Sequence, residues 1–490
     1  IGTGQSLNVS DTFIFNPNLI NEARLSYTRF FSDTQNVPDV TLATLGSKIW
    51  APDPPALPNL SISGRFSLQA AIAGIQVDNI QQFTEKLSWI KGAHSLHLGG
   101  SIMRFDYLNR SGWRGAGTFT IDGSFSGDPL ADFLLGLSTR LGQGNGVEEA
   151  TRTTSTSLYA QDDYRVTRRL TLNLGLRYEY NTPHIHPGDK LYVIVPGQQS
   201  KRIPQAPPGM LFPGEGGFGR GLIRPDRNNF APRLGMAWDL FGDGKTSLRA
   251  AWGLFYDILT PSDQVRSSGN QPFINYVEIN APYSLSDPYR GMPDPFPYFY
   301  DPANPANIKF TLPVPTAYVD PNLRNPYVQQ YNVNIQRQIT PTMVAQVGYV
   351  GKAARKLITF RQINPGIYSA GATVANMNSR RPFLPGTYGA MTQVTSSGNS
   401  HYDSLQMTVN KRLSHGVSLT AAYTFSKAID ETSAWSSGSQ TFQNPFNQRA
   451  DRGLSEFNMR HVLSLSYVYE LPLLRGRTDW AGKLLGGWRV

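Results

Sequence analysis

Along much of the chain, apolar and polar residues alternate one by one. Leu170, Leu172, Leu174, Leu176, Tyr178 and Tyr180 alternate with Thr171, Asn173, Gly175, Arg177 and Glu179. Tyr331, Val333, Ile335 and Ile339 alternate with Gln330, Asn332, Asn334, Gln336 and Gln338, and Val417 to Phe425 and Leu463 to Leu471 repeat the pattern. A strand sends successive side chains to opposite faces, so each segment has one apolar and one polar face. The segments come in hairpin pairs, roughly 5–15 with 20–32, 80–91 with 94–107, 152–166 with 169–182, 229–240 with 246–257, 328–339 with 343–352, and 402–413 with 417–427. Short turns join them: Asn16-Pro17-Asn18, Lys91-Gly92-Ala93, Thr167-Arg168, Gly242-Asp243-Gly244-Lys245, Thr340-Pro341-Thr342 and Ser414-His415-Gly416. A strand at about 460–471 follows, and Gly486-Gly487-Trp488-Arg489-Val490 reads as the start of another.

Between the pairs lie connections of roughly 30–70 residues, far above the usual loop length. They hold most of the proline and glycine, and one carries a predicted short helix from Pro129 to Leu137. Short turns at one end and long connections at the other suit an antiparallel transmembrane β-barrel, whose apolar face meets lipid and whose polar face lines a wet lumen. The polar faces are rich in Asn, Gln, Ser, Thr and Arg. Tyr178, Tyr180, Tyr256, Tyr423, Phe425, Tyr467 and Tyr469 sit near strand ends, as interfacial aromatics do. The alternative for such strands is a soluble sandwich with the apolar face packed inward.

Composition narrows the function. The chain has 490 residues and no cysteine, which excludes disulfides, cysteine nucleophiles and thiolate metal sites. No apolar run approaches the ~18 residues of a membrane helix. The net charge is +10, but the basic residues are scattered and form no run of five, so nucleic acid is not an expected partner. The first residue is Ile1 and no apolar leader follows, so the chain reads as an internal piece of a longer protein.

Several short patterns carry a family likeness. Asp11-Thr12-Phe13 leading to Glu22-Ala23-Arg24-Leu25-Ser26-Tyr27, Ala131-Asp132-Phe133-Leu134-Leu135-Gly136, and Leu158-Tyr159-Ala160-Gln161-Asp162-Asp163-Tyr164 are three of them. Others are Asn228-Asn229-Phe230-Ala231-Pro232-Arg233-Leu234-Gly235, Tyr402-Asp403-Ser404-Leu405-Gln406, Tyr423-Thr424-Phe425-Ser426-Lys427-Ala428, and Asp451-Arg452-Gly453 followed by Arg460-His461-Val462. In order and spacing, this set resembles the Oar-like TonB-dependent receptors of the outer membrane, over nearly the whole chain. The resemblance implies a barrel of about 22 strands, of which about 13–14 are visible here. It also implies an interior plug, a β-sandwich before it and a segment that touches TonB, none of which is in these residues. A sheet open at both edges would leave backbone groups unpaired in hydrocarbon at several kcal/mol each, so this stretch alone is not expected to form a closed pore. Residues 1–490 are then one partial barrel domain.

Candidate chemistry is sparse. Arg177, Arg233, Arg249 and Arg412 fall in phase with the polar faces and would face the lumen, holding plug carboxylates or passing anionic groups. Tyr289, Phe296, Tyr298, Phe299 and Tyr300 crowd one connection, where they could contact ligand or pack against neighbouring loops. His184 and His186 lie near Asp189 but lack a third metal ligand at diagnostic spacing. Asp162 and Asp163 are neighbours on a strand and point to opposite faces, so they cannot act as a side-by-side pair. The Asp-Pro steps at Asp287, Asp294, Asp301 and Asp320 read as turns, and Gly214 to Gly221 as a flexible loop with no helix behind it. No catalytic, cofactor or metal site is expected. The expected function is outer-membrane binding and TonB-driven import of a large or scarce substrate (glycan, peptide or metal chelate). The alternatives are a non-transporting adhesion barrel and a secreted β-rich polysaccharide-acting enzyme.

Overall fold

The computed structural model describes residues 2–34, 40, 42, 44–50, 56–69, 74–112, 115–373, 376–433, 442–472, 480–485 and 488–490. Its main feature is a 15-stranded sheet made of thirteen long antiparallel strands and two short ones. The long strands are β1 (Gly2–Asn16), β2 (Leu19–Thr34), β3 (Gly74–Lys91), β4 (His94–Ser111), β5 (Val147–Arg165), β6 (Leu170–Asn181), β7 (Asn229–Asp239), β8 (Thr246–Tyr256), β9 (Tyr327–Thr340), β10 (Met343–Gln362), β11 (Tyr388–Ser414), β12 (Val417–Asp430) and β13 (His461–Tyr469). Each pairs with its neighbours in chain order. Beyond β13, Tyr469 and Val490 exchange backbone hydrogen bonds of 2.7 and 2.9 Å, and Leu471 N–H donates to Trp488 C=O. The strand start read at the end of the sequence is therefore present, with Gly486 and Gly487 outside the described residues.

The hairpin turns follow from their residues. Gly242 and Gly244 have φ of 74° and 69°, which side chains disfavour. The Asp239 carboxylate accepts from their N–H groups at 3.0 and 3.1 Å. Between β5 and β6, the Thr167 hydroxyl accepts from Arg169 and Leu170 N–H.

Among the described residues, nothing covers the apolar face of this sheet. Leu7, Leu158, Leu176, Leu234 and Leu463 are 59%, 61%, 50%, 51% and 68% exposed. Aromatic residues bound this face at both ends. Towards the long connections, Tyr178 meets Phe230 at 4.9 Å, Tyr331 meets Tyr349 at 6.1 Å and Phe425 meets His461 at 5.2 Å. Towards the short turns stand Trp89, Trp238, Tyr467, Tyr469, and Tyr164 stacked on His94 at 4.2 Å. Phe230 and Trp238 are eight residues apart on β7, about 27 Å of strand, which at the roughly 40° tilt usual in membrane barrels is about 20 Å of height, most of their ~25 Å apolar band. No helix among the described residues is long and apolar enough to cross a membrane. The spans are strands.

Several strands run further than alternation indicates. β10 continues to Gln362, and β11 begins at Tyr388, where alternation places only 402–413. Above the aromatic rows both faces are covered by other connections. Ala353, Ala354, Met391 and Val394 are all buried there, which erases the period of two.

The long connections are themselves folded. Residues Asn59–Ile62, Phe66–Leu68, Thr118–Ile121, Arg140–Gly144 and Tyr276–Asn280 form a separate five-stranded sheet drawn from three connections. Val314–Val319 pairs in parallel with the start of β11. The predicted helix is present as α1 (Pro129–Leu134), with the Asp128 carboxylate capping Leu130 and Ala131 N–H and Asp132 buried. The apolar core of the molecule lies in this cap. One cluster joins Tyr192, Ile203, Met210 and Phe212 to Phe273, Tyr318, Tyr388 and Met391, and a second joins Leu42 and Ile49 to Phe119, Leu141, Tyr289 and Phe296. The β8–β9 connection contributes to both.

Candidate functional site

Two regions can meet a ligand, the polar face of the sheet and the cap above it. Cross-strand partners share a face, so the register fixes the polar rows. One row reads Gln161, Gly175, Arg233, Gly253 and Gln330 across β5 to β9. The next row towards the short turns places Asn173, Gly235, Ala251 and Asn332 side by side, and the one after it Thr171, Ala237, Arg249 and Asn334. Arg177 lies on the other side of the Arg233 row, opposite Tyr159 and Ala231.

Three of the four arginines thus share one strip, but their surroundings differ. Arg177 is ion-paired to Glu179. Arg233 lies 4.6 Å from the Phe255 ring and, like Arg249, has no ion-pair partner among the described residues. Arg412 stands apart at the short-turn end, where its guanidinium reaches the Pro341 carbonyl at 3.4 Å. Asp162 and Asp163 point to opposite faces, as the alternation requires. Asp162 pairs with His94 at 2.7 Å beside the turns, and Asp163 accepts from Asn173 at 2.6 Å on the polar face.

The aromatic residues of the β8–β9 connection mostly face inward. Tyr289 and Phe296 are buried in the cap, and the Tyr289 hydroxyl donates to Gln143 at 2.9 Å. Tyr298 donates to the Pro272 carbonyl at 2.6 Å, and burial pushes its phenol up to about 12. Tyr300 packs edge-on against Phe273 at 5.0 Å. Phe299 is 82% exposed, the one ring of the five turned to solvent. The Asp-Pro steps are turns: Asp294, Asp301 and Asp320 each accept an N–H from two residues on, at 2.9, 2.9 and 2.8 Å.

Several residues that organise the cap carry no sequence motif. Asp226 is buried, pairs with Arg324 at 3.2 Å and accepts from Asn325 N–H at 3.0 Å, tying the β6–β7 and β8–β9 connections together. Gln143 spans three segments, donating to Trp50 and Gly115 carbonyls while accepting from Tyr289. Glu215, inside the glycine-rich stretch, accepts from Lys201, Arg202 and Phe212 N–H and from Ser200. Burial pushes its carboxyl up, but these donors outweigh it and hold the group below its ordinary value. The stretch is thus pinned, where glycine content alone suggests flexibility. Residues joined over such sequence distances leave no local pattern to read.

His184 and His186 are buried, and burial holds both down to about 4. Neither ring nitrogen of His184 has a hydrogen-bond partner among the described residues, and no group of three or more acidic or histidine side chains there converges on a metal position. Both imidazoles are buried neutral, with folded values below the unfolded 6.5. Their contribution is therefore intact above pH 6.5 and lost as pH falls through that value towards 4, at about 1.4 kcal/mol per pH unit for each histidine. Amide-exchange protection of residues 183–194 is expected to drop over that interval, and His184→Leu to flatten the drop.

A sheet with an uncovered apolar band, an opposing polar face and connections gathered at one end has the form of a membrane barrel wall. A sequence profile for the outer membrane beta barrel domain matches residues 2–490. The chain belongs to that family. It is accordingly a protein of the outer membrane. No curated protein matches its sequence. Among solved structures, the outer membrane transporter YddB from Escherichia coli is similar at a TM-score of 0.50 and 12% identity, covering 88% of this chain and 43% of that one. The copper transporter OprC gives 0.47 at 10% identity over 96% and 50%, and the ferric yersiniabactin uptake receptor FyuA from Yersinia pestis 0.43 at 8% over 96% and 47%. The chain spans about half the length of these proteins or less, and at such identity the likeness is one of fold.

Proposed function

We propose that this chain is the barrel part of an Oar-like TonB-dependent receptor, which captures a large or scarce substrate at its external cap and imports it along the polar face. In this reading the polar face lines the lumen around an interior plug, the energy comes through TonB, and no covalent chemistry is performed. The observation that carries the proposal is the cap. Connections from one end of the wall fold together on shared apolar cores, which is what a specific external binding surface requires and a simple pore does not. The test is uptake by cells producing the full-length receptor, with labelled oligosaccharides, peptides and ferric chelates as probes, in TonB-positive and TonB-negative backgrounds. Accumulation that needs both the receptor and TonB is expected. Surface binding without accumulation in either background would instead establish a non-transporting adhesion barrel.

A further inference from the structure

The polar strip holds one place built differently from the rest. Arg233 stands between Gly175 and Gly253 in its row, with the amides of Gln161 and Gln330 at the two ends and Asn332 in the row beside it. The missing side chains leave a depression of about 320 Å³, at the small end of the range for ligand sites. The glycines differ in role. A Cβ on Gly253 would press on the Phe255 ring at 3.0 Å, so this glycine lets the ring lie beside Arg233. A Cβ on Gly175 would meet nothing closer than 3.7 Å, so this glycine simply leaves space. The aromatic face attracts the guanidinium and limits its motion without neutralising it. Arg177, one row away, is already satisfied by Glu179.

We infer that Arg233, with Gln330 and Asn332, forms an oxyanion-binding station on the wall, for a carboxylate or phosphate group carried by the cargo. A guanidinium offers a fork of N–H donors that fits either group in two parallel bonds, and the Gln330 and Asn332 amides can donate to the remaining lone pairs, whereas the Gln161 amide already donates to Asp163 at 3.3 Å. Arg249, two rows on and also free of an ion pair among the described residues, supplies a second cation along the same strip. This inference rests on the reading of the polar face as the lumen.

The test uses the full-length receptor in detergent micelles, with phenylglyoxal modification of each arginine followed by peptide mass spectrometry. Citrate and inorganic phosphate are the probes. For a dissociation constant near 1 mM, about 10 mM of either anion slows modification of Arg233 about tenfold. Arg177 is not protected. Gly175→Val, which fills the depression while suiting a strand, removes the protection and keeps Arg233 reactive. Equal rates with and without anion overturn the station. So does an Arg233 that is unreactive throughout, because a carboxylate of the receptor's own interior then holds it. Water-soluble maleimide labelling of Asn332→Cys reads the underlying placement separately. Labelling without anion protection overturns the station alone, and absence of labelling overturns the lumen reading beneath it.

Discussion

Leu234→Arg is expected to destabilise the folded receptor in phospholipid vesicles by about 2–4 kcal/mol, the cost of a cation at the bilayer midplane on the lipid face of a barrel. Leu234 is four residues from Phe230 and four from Trp238, the two edges of the apolar band, and its row neighbours are Leu174 and Trp252. The carboxylate in that row, Asp162 two strands away beyond Leu174, is already paired with His94 at 2.7 Å. Asn332→Arg, on the polar face two strands away, is expected to change stability by about 0.5 kcal/mol or less, as for a hydrated surface site. Denaturant unfolding, together with the shift in gel mobility on heating, measures both variants. Equal costs for the two would mean that the two faces meet similar environments, which a barrel wall does not allow.

Tyr388→Ala is expected to cost about 3–5 kcal/mol, the range for deleting a large buried ring, and to spend that cost on the cap alone. Tyr388 is 0% exposed, its hydroxyl donates to the Pro208 carbonyl at 3.0 Å, and its ring sits 5.4 Å from Phe383. It belongs to the cluster that joins the β6–β7 and β8–β9 connections to the start of β11. Limited proteolysis is expected to cut the cap of the variant while the heat-modifiable wall persists. The cap has its own core, so it can open without dissolving the strands. Loss of heat-modifiability together with the cap would show instead that the two regions unfold as one unit.

The two regions differ in how far the sequence discloses them. The wall is legible because a lipid-facing strand must alternate, so Leu170 to Tyr180 reveals both its faces without reference to any partner. The thirteen strands and six short turns follow from that one rule. It fails where Ala353 and Ala354 are buried together, since burial on both faces removes the contrast. The cap is hidden for a different reason. Tyr192, Tyr318 and Tyr388 meet in one core from two connections and the start of β11, and nothing periodic links them. The candidate site is divided the same way. The face of each arginine is set by its phase along the strand, whereas the pairing of Arg177 with Glu179 and the open space beside Arg233 depend on neighbours that only the cross-strand register supplies.

One face of the wall meets lipid and the other water. The chain has no cysteine, so single cysteines can be placed without background. Spin labels at successive positions from 170 to 178, in the receptor reconstituted into vesicles, give the most direct reading. Collisions with oxygen are expected at 170, 172, 174 and 176, and with a water-soluble nickel chelate at 171, 173, 175 and 177. Accessibility to the chelate at all of these positions, or to neither reagent at the even ones, would contradict that arrangement.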